Sequence, residues 1–172
     1  MRQAIVYILS HNTSSIMPTS TSLLTTAYYR HHGQLLLDSY QRLTGQPLLT
    51  DMDETPAIEQ LNQASFGLVS HGTESDPVFN FANQKALTLF DYSWEAFTAL
   101  PSRFSAELIS QAERDALLAQ VTQHGFIDNY TGVRISRTGQ RFLIKHATVW
   151  NITDDNGIYH GQAAKIDQWE ML

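Results

Sequence analysis

The 172-residue sequence contains no cysteine. Without thiols the chain has no disulfides, thiolate metal sites, iron–sulfur clusters or cysteine nucleophile, and flavin photochemistry through a cysteinyl adduct is ruled out. The absence of this one residue type therefore excludes several redox and catalytic classes.

Basic residues are also few, with 11 lysines and arginines against 17 aspartates and glutamates. Only three of the basic residues are lysines, and the formal net charge is −6 at pH 7. A surface with this charge repels a phosphate backbone, so we expect no direct binding to DNA or RNA.

Long hydrophobic runs are missing as well. The apolar segment Ala4–Leu9 is short for the core of a signal peptide, and a membrane span needs roughly 20 apolar residues. The sequence therefore predicts a soluble, cytoplasmic protein without a membrane segment.

The clearest positive signal is the C-terminal block from Phe126 to Trp169. Two turn sequences, Thr138-Gly139 and Asp155-Asn156-Gly157, separate three runs rich in β-branched and aromatic residues. Glycine and Asn-Gly favour hairpin turns at such positions because those turns require positive φ angles. The block is predicted to form three consecutive antiparallel strands.

The N-terminal part combines a polar tail with a helix. Residues 1–20 show no sustained periodicity and are expected to form a loosely ordered tail. Residues 22–44 have helical spacing and end before Gly45, a typical helix stop. The adjacent His31 and His32 cannot share a helix face, so they make a poor metal pair and are expected on a solvated surface.

Between these two parts the spacing predicts one hairpin and several helices. The hairpin has arms at 66–71 and 78–82. The helix boundaries are marked by capping residues or stops, namely Thr55, Asn83, Ser93, a capping box at 110–113 and Gly125. The order of elements predicts an α+β fold, with a five-stranded antiparallel sheet, helices on one of its faces and an additional N-terminal helix. With 42% hydrophobic residues, one domain over 21–172 accounts for the length.

The residues also resemble the MEKHLA domain family. The resemblance covers about 34–169 and rests on DPVFNFANQKALTLFDYSWEAF, on the linked blocks GVRIS, VWN and GQAA, and on a closing tryptophan. MEKHLA domains are PAS-like domains found alone in bacteria and algae and at the C-terminus of plant class III homeodomain leucine-zipper transcription factors. The resemblance implies a PAS core over about 64–170, of the stand-alone type. No homeodomain or zipper occurs in this sequence, so the DNA-binding role is not implied.

Ligands of a sheet covered by helices usually bind between the two layers. Alternation along the middle strand of the C-terminal block puts every second residue on one face, namely Phe142, Ile144, His146, Thr148 and Trp150. Lys145 belongs to the opposite face, which favours the first face as the one that faces the helices.

His146 is the first candidate for a ligand contact in this pocket. It is either a hydrogen-bonding or axial-ligand group, or a core histidine satisfied by a neighbouring group. No second metal ligand stands at a suitable spacing, so no metal site is predicted.

Arg134, Tyr130 and Trp150 extend the candidate set. The Arg134 guanidinium suits an anionic carboxylate or phosphate, but cross-strand pairing with Asp128 or Asp167 explains it equally well. Tyr130 and Trp150 either form the wall of a site for a planar ligand or belong to the core.

Asn151 and Gln162 are the most informative polar candidates. If buried, each amide needs several hydrogen-bond partners. An amide that finds those partners only in a ligand would mark a binding site.

No known catalytic or phosphate-binding motif is present. The leading hypothesis is a non-enzymatic PAS-like sensory or regulatory domain, homodimeric through its N-terminal helix and sheet, that binds a small planar ligand or a protein partner. The identity of any cofactor is unknown at this stage. One alternative is a protein-interaction or dimerisation module with a filled core. Another is an isomerase or dehydratase on a cone-like α+β fold, with His146 and Asp128 as acid–base partners.

Overall fold

The computed structural model describes residue 24 and residues 26–172, without the side chains of residues 108–111 and 114. The predicted tail and the predicted start of the first helix lie outside this range. The helices are α1 (Ala27–Thr44), α2 (Ala57–Asn62), α3 (Gln84–Phe90), α4 (Trp94–Phe97), a 3-10 helix (Ser102–Ser105) and α5 (Leu108–His124). The strands are β1 (Gly67–His71), β2 (Phe79–Ala82), β3 (Phe126–Ile135), β4 (Arg141–Thr153), β5 (Tyr159–Ile166) and β6 (Gln168–Met171).

The strands form one antiparallel sheet in the order β2-β1-β5-β4-β3. This confirms the predicted α+β class and the five-stranded sheet. The structure adds the short strand β6, which follows β5 after Asp167 and pairs with residues 142–145 of β4. The C-terminal block thus supplies every strand of the sheet except the β1–β2 hairpin.

Most predicted helix boundaries are confirmed by local geometry. Gly45 follows α1 with a φ angle of 72°, and Gly125 follows α5 with a φ angle of 91°. The side chains of Asn83 and Ser93 accept hydrogen bonds from the first turns of α3 and α4. These boundaries depend on single residues, so the sequence alone predicts them.

Two predicted helix starts are wrong. Pro56, and not Thr55, is the N-cap of α2. Helix α5 begins at Leu108 with Glu107 as its N-cap, so the capping box predicted at 110–113 lies inside the helix. The chain leaves the 3-10 helix in an extended conformation at Ala106 and enters α5 almost at once. This tertiary connection overrides the local capping signal.

The two faces of the sheet are covered by different helices. On β4 the Trp150 indole Nε1 donates to Ser39 Oγ of α1 at 3.0 Å. The next residue, Asn151, donates from Nδ2 to the Val121 carbonyl oxygen of α5 at 2.9 Å. Because neighbouring residues of a strand point to opposite faces, α1 and α5 lie on opposite sides of the sheet. The N-terminal helix therefore covers the face that the other long helix leaves open.

Paired bulges interrupt the alternation of β3 and β4. Asn129 and His146 both have positive φ angles, 64° and 52°, and their side chains hydrogen-bond to each other through Asn129 Oδ1 and His146 Nδ1. Each strand gains one residue in this region, so the pairing shifts twice and then recovers. The predicted alternation along β4 is therefore wrong beyond the bulge. Ile144 and Ala147 line the same cavity, although simple alternation assigns them to opposite faces.

None of the helices within the described part of the chain combines the length and hydropathy that a bilayer crossing requires.

Candidate functional site

A cavity of about 70 Å³ lies between the sheet and α5. Its lining comes from the sheet, α3, the 3-10 helix and α5, namely Val69, Ser70, His71, Phe79, Phe90, Ser102, Ser105, Leu117, Leu118, Tyr130, Arg134, Ile144, Ala147, Val149, Gln162, Ala163, Ala164 and Ile166. Most of these side chains are apolar. The few polar groups among them therefore decide what the cavity accepts.

The volume of the cavity limits the size of a ligand. Typical sites for drug-sized ligands occupy about 300–1,000 Å³, and an apolar cavity of about 150 Å³ holds benzene. In the shape described here, the cavity accommodates a few water molecules or a very small organic molecule. A larger planar ligand would require α5 to move away from the sheet.

Arg134 is the charged side chain that lines this cavity, and it is only 9% exposed. Its Nη1 donates to the Val133 carbonyl oxygen at 2.8 Å, and its guanidinium carbon lies 5.3 Å from the centre of the Tyr130 ring. Gly132 lies midway between Tyr130 and Arg134 on β3. A Cβ atom there would come within 2.0 Å of the Tyr130 hydroxyl, so only glycine lets this ring lie along β3.

The predicted carboxylate partners of Arg134 do not pair with it. Asp167 instead accepts from Lys165 Nζ at 2.6 Å, and Asp128 is exposed. Among residues 24 and 26–172, no carboxylate forms a salt bridge with Arg134. The cavity therefore contains a buried cation whose charge is not compensated by a described side chain.

Gln162 and Asn151 form a buried amide pair beside the cavity. Gln162 Nε2 donates to Asn151 Oδ1 at 3.0 Å and lies 3.3 Å from both the Leu118 carbonyl oxygen and the Thr122 hydroxyl. Asn151 completes its bonds with the Val121 carbonyl oxygen. Asn151 is thus satisfied within the protein and holds the C-terminal part of α5 on the sheet.

The oxygen of the Gln162 amide lacks the hydrogen bonds that the nitrogen makes. Its Oε1 atom is fully buried and has no hydrogen-bond partner in the part of the chain that the structure describes. Rotating the amide would place Oε1 against the Leu118 backbone carbonyl oxygen and Asn151 Oδ1, so the orientation is determined by its neighbours. An amide oxygen in this position requires a donor, because leaving it unpaired costs about 1–3 kcal/mol.

The structure thus brings Tyr130, Arg134 and Gln162 together at one cavity, and their binding of a ligand stays a prediction. The predicted positions of His146 and Trp150 are wrong. His146 is exposed at the bulge and lies outside the cavity lining, and Trp150 is buried on the α1 side. The bulge at residue 146 is the reason, because it changes which residues of β4 face α5.

Four polar residues of the cavity lining were not predicted from the sequence, namely Ser70, His71, Ser102 and Ser105. His71 donates from Nδ1 to the Gly72 carbonyl oxygen at 2.9 Å, and the Ser105 hydroxyl donates to the Ser102 carbonyl oxygen at 2.7 Å. The pairing of β1 with β5 places His71 opposite Gln162. Alternation along β1 was the available signal, since Val69 and His71 share a face.

A second polar cluster lies under α1, on the other face of the sheet. His32 is only 4% exposed, so its predicted position on a solvated surface is wrong. Its Nε2 lies 2.9 Å from Ser70 Oγ, and this hydroxyl donates to Asn80 Oδ1 at 2.6 Å. Nε2 of His32 therefore carries the proton and donates to Ser70. The Tyr29 hydroxyl donates to the Asn80 carbonyl oxygen at 3.0 Å, which completes the link between α1 and the β1–β2 hairpin.

Burial lowers the pKa of His32 from 6.5 to about 4, and the nearby His31 and His160 lower it further in the same direction. His160 itself lies 3.2 Å from an Asp154 carboxylate oxygen. Burial also raises the pKa of Tyr29 to about 12, so its hydroxyl remains a donor. His32, with a pKa of about 4, is therefore neutral at pH 7 in the link between α1 and the hairpin.

Acid is expected to destabilise the protein through His32. Because its pKa is lowered in the folded state, the unfolded chain binds a proton between pH 6.5 and about 4 that the folded protein does not bind. The stabilisation is complete above pH 6.5 and is lost as the pH falls towards 4. The free energy of unfolding should fall by about 3 kcal/mol from this group, as measured by urea unfolding across the range.

Two variants separate this effect from general acid denaturation. His32→Gln retains a side-chain N–H for Ser70 and cannot be protonated, so it should lose about 3 kcal/mol less than the wild-type protein over the same pH range. His31→Gln changes the exposed neighbour and should keep most of the loss, because burial is the largest cause of the pKa shift. Identical pH profiles for the wild-type protein and His32→Gln would contradict the assignment.

No group of three histidine, aspartate or glutamate side chains positioned to hold a metal ion occurs among the residues that the structure describes.

Solved structures with a similar fold are PAS domains and light-oxygen-voltage domains. The PAS domain of a protein from Colwellia psychrerythraea superposes with a TM-score of 0.53 at 14% identity, over 66% of this chain and 92% of that one. A fungal LOV domain photoreceptor gives a TM-score of 0.52 at 19% identity, over 80% of this chain and 91% of that one. These similarities show that the fold is PAS-like.

Sequence comparison provides the family. Homeobox-leucine zipper protein ATHB-14 of Arabidopsis thaliana is 27% identical over an alignment of 167 residues that covers 91% of this chain and 18% of the plant protein. ATHB-9 of the same plant is 29% identical over 103 residues, or 58% of this chain and 12% of that protein. The chain thus spans less than a fifth of the length of these relatives. The profile of the MEKHLA domain matches residues 30–171, nearly all of the PAS-like fold and most of α1, so the chain belongs to the MEKHLA domain family.

Proposed function

We propose that this MEKHLA domain is a non-enzymatic sensory module that binds a small ligand between its sheet and α5. The observation that carries this proposal is the cavity itself. It contains a buried arginine without a described carboxylate partner and a buried amide oxygen without a described donor. Such groups are costly in a finished core, and they are explained if a ligand completes them.

The Gln162 amide offers a route from the ligand to the rest of the protein. Its Oε1 has no described donor, whereas its Nε2 lies 3.3 Å from the Leu118 carbonyl oxygen and from the Thr122 hydroxyl of α5. A ligand that donates to Oε1 would add a hydrogen bond to an amide whose orientation is already set by its neighbours, and would thereby hold this side chain more firmly against α5. Occupancy of the cavity would therefore change the stability of α5 against the sheet.

The two alternatives are less well supported by the geometry. A pure interaction module with a filled core would not need a cavity with an uncompensated charge. An enzyme that uses His146 and Asp128 would place both groups in a pocket, whereas both are exposed. The PAS-like topology also differs from the cone-like fold on which that enzyme was proposed.

The wider proposal includes the assembly and location of the protein. We infer one domain over 21–172 with a PAS core at about 64–170, cytoplasmic and without direct nucleic-acid binding. Homodimer formation is supported by exposed apolar side chains, namely Tyr28 on α1 and Ile158 and Tyr159 in the β4–β5 hairpin, which are 55%, 56% and 42% exposed. Exposed groups of this kind are frequent at interfaces between protein chains.

Native mass spectrometry and the absorbance spectrum of the purified full chain test this proposal together. A small extra mass that is lost on unfolding, or a melting temperature raised by a member of a metabolite library, is the expected result, and the same spectrum reports whether the protein is a dimer. A ligand-free protein whose melting temperature no metabolite changes would contradict the sensory function and favour the interaction module. Turnover of a small substrate that is lost in His146→Ala, with the fold intact, would instead identify an enzyme.

A further inference from the structure

We propose that one end of the cavity binds a small planar oxyanion, either a short carboxylate or an inorganic anion of the same shape, through Arg134. This assignment rests on the proposed function, because it names the chemical class of the ligand for the same cavity. The site is confined to that end of the cavity. Arg134 pairs with Phe142 on β4, whereas Gln162 pairs with Asn151, nine residues further along the strand, so the Gln162 amide takes no part in this site.

An unused edge of the Arg134 guanidinium carries the assignment. Nη1 donates to the Val133 carbonyl oxygen at 2.8 Å, which fixes the orientation of the group. Nε and Nη2 form the side-on edge, and neither has a hydrogen-bond partner among the described residues. Both atoms retain surface that a water molecule can reach, in contrast to the sealed Gln162 Oε1. Two parallel N–H groups therefore remain for the two oxygens of a planar oxyanion.

The charge of this site favours a monovalent anion. Arg134 is buried, and no carboxylate among residues 24 and 26–172 forms a salt bridge with it. A buried cation without a counter-ion is strongly unfavourable, so an anion that reaches the side-on edge gains a large interaction. A monovalent anion balances the single positive charge, whereas a dianion would leave a net negative charge in an apolar cavity.

Tyr130 supplies a second donor beside the guanidinium. Its ring is directed along β3, with the hydroxyl foremost over Gly132, and its ring centre lies 5.3 Å from the Arg134 guanidinium carbon. The hydroxyl has no hydrogen-bond partner among the described residues and is not sealed from water. By contrast, the Ser105 hydroxyl already donates to the Ser102 carbonyl oxygen at 2.7 Å. The spacing Tyr-x-Gly-x-Arg thus places a hydroxyl donor next to the guanidinium.

The wall opposite these donors favours a planar anion over a tetrahedral one. Ile144 pairs with Gly132 and Ala147 pairs with Tyr130, so both β4 residues line the cavity at this end. A planar oxyanion in the plane of the guanidinium presents its oxygens to the donors and its faces to these apolar side chains. Phosphate or sulfate would direct further oxygens at the wall without donors. The volume of about 70 Å³ admits an anion of only a few heavy atoms.

Four probes of similar size test the class of ligand: acetate, nitrate, acetamide and phosphate. The Nε–H resonance of Arg134 in NMR spectra of the full chain, at constant ionic strength set with sodium chloride, reports occupancy of the edge itself. Acetate should shift this resonance with a Kd on the order of 0.1–10 mM, because four heavy atoms limit the affinity. Acetamide should cause no shift, and phosphate should bind at least about tenfold more weakly than acetate.

The comparison of acetate with nitrate identifies the source of the anion. Both anions are planar and monovalent, but only acetate has a methyl group to place against Ile144 and Ala147. We expect acetate to bind more tightly for this reason. Tighter binding of nitrate would support the planar oxyanion and assign the site to an inorganic ligand.

Variants assign the binding to the edge of the guanidinium. Arg134→Lys keeps the charge and loses the two parallel N–H groups, so it should bind acetate at least about tenfold more weakly. Tyr130→Phe keeps the ring and loses the hydroxyl, so a loss of about 3–10-fold is expected. Arg137→Lys is the matched control, because Arg137 is exposed on the same hairpin and pairs with Asp91 at 3.1 Å. Its affinity for acetate should equal that of the wild-type protein.

Thermal unfolding separates loss of binding from loss of the fold. Acetate at ten times its Kd should raise the melting temperature of the wild-type protein and of Arg137→Lys by about 3–6 °C. At the same concentration, acetate should have little effect on Arg134→Lys. If that variant does not fold, Tyr130→Phe and the Arg134 resonance of the wild-type protein still decide the assignment.

Several results would overturn the assignment. Equal shifts with acetate and acetamide, phosphate binding as tightly as acetate, equal affinities of Arg134→Lys and Arg137→Lys, or no shift by either planar anion at about 50 mM would each do so. A neutral compound retained in the cavity in native mass spectrometry, with no response to anions, would refute the anion site and leave the sensory function intact. A chain that binds no compound of any class would refute both.

Discussion

Replacing Trp150 by alanine is expected to lower the free energy of unfolding by about 3–5 kcal/mol. The indole is completely buried, its ring centre lies 4.9 Å from that of Tyr40, and its Nε1 donates to Ser39 Oγ. The variant leaves a large void between β4 and α1 and removes this hydrogen bond. Urea unfolding, followed by far-ultraviolet circular dichroism, measures the loss.

A graded substitution shows how much of that loss comes from volume. Trp150→Phe keeps most of the apolar contact and removes the donor to Ser39, so it should cost only about 1–2 kcal/mol. Because Trp150 lies on the face opposite the cavity, a metabolite that raises the melting temperature of the wild-type protein should raise that of Trp150→Phe by the same amount. A specific loss of this increase in the variant, with its fold intact, would contradict the separation of the two faces.

Replacing Asn83 by alanine is expected to destabilise the protein by about 3–5 kcal/mol. Its side chain is fully buried and makes four hydrogen bonds. Oδ1 accepts from the backbone N–H groups of Leu68 and Ala86, and Nδ2 donates to the carbonyl oxygens of Leu61 and Phe66. The alanine variant leaves three backbone groups outside α3 without this partner, in addition to the lost helix cap.

Two controls distinguish this junction from an ordinary helix cap. Ser93 caps α4 from an exposed position, so Ser93→Ala should cost only about 1 kcal/mol. Aspartate is as good a helix cap as asparagine, yet Asn83→Asp would face the carbonyl oxygens of Leu61 and Phe66 with a buried carboxylate and should be at least as unstable as Asn83→Ala. Full stability of Asn83→Asp in denaturant titrations would show that Asn83 acts only as a cap.

Local sequence signals determined which elements form and where many of them end. A glycine or a short capping side chain acts on the nearest turn of the backbone, so Gly45, Asn83, Ser93 and Gly125 could be interpreted without knowing their neighbours. The turn residues that separate the three C-terminal strands were equally local signals, because they act on the adjacent backbone. Even so, the three hydrogen bonds that Asn83 makes outside its helix could not be predicted, because they depend on residues 15 to 22 positions away.

Gly161 in the GQAA block is part of the family resemblance in the sequence and also meets a steric requirement that only the structure reveals. Gly161 has a φ angle of 126°, and a Cβ atom there would lie 1.9 Å from the His71 carbonyl oxygen. The sequence marks this block as part of the family resemblance. Only the approach of β1 to β5 supplies the physical reason for its glycine, and that approach depends on the complete sheet.

The amino-acid sequence by itself determined the α+β class, the order of the strands along the chain, and a set of candidate residues that includes Arg134 and Gln162. Only the tertiary structure decided which of those candidates share a cavity. Two bulged residues, Asn129 and His146, change the facing of β3 and β4, and such bulges depend on pairing between strands rather than on the periodicity of either one. The missing partners of Arg134 and of Gln162 Oε1 are likewise properties of the assembled fold, because burial and hydrogen bonding are set by neighbours that are distant in the chain.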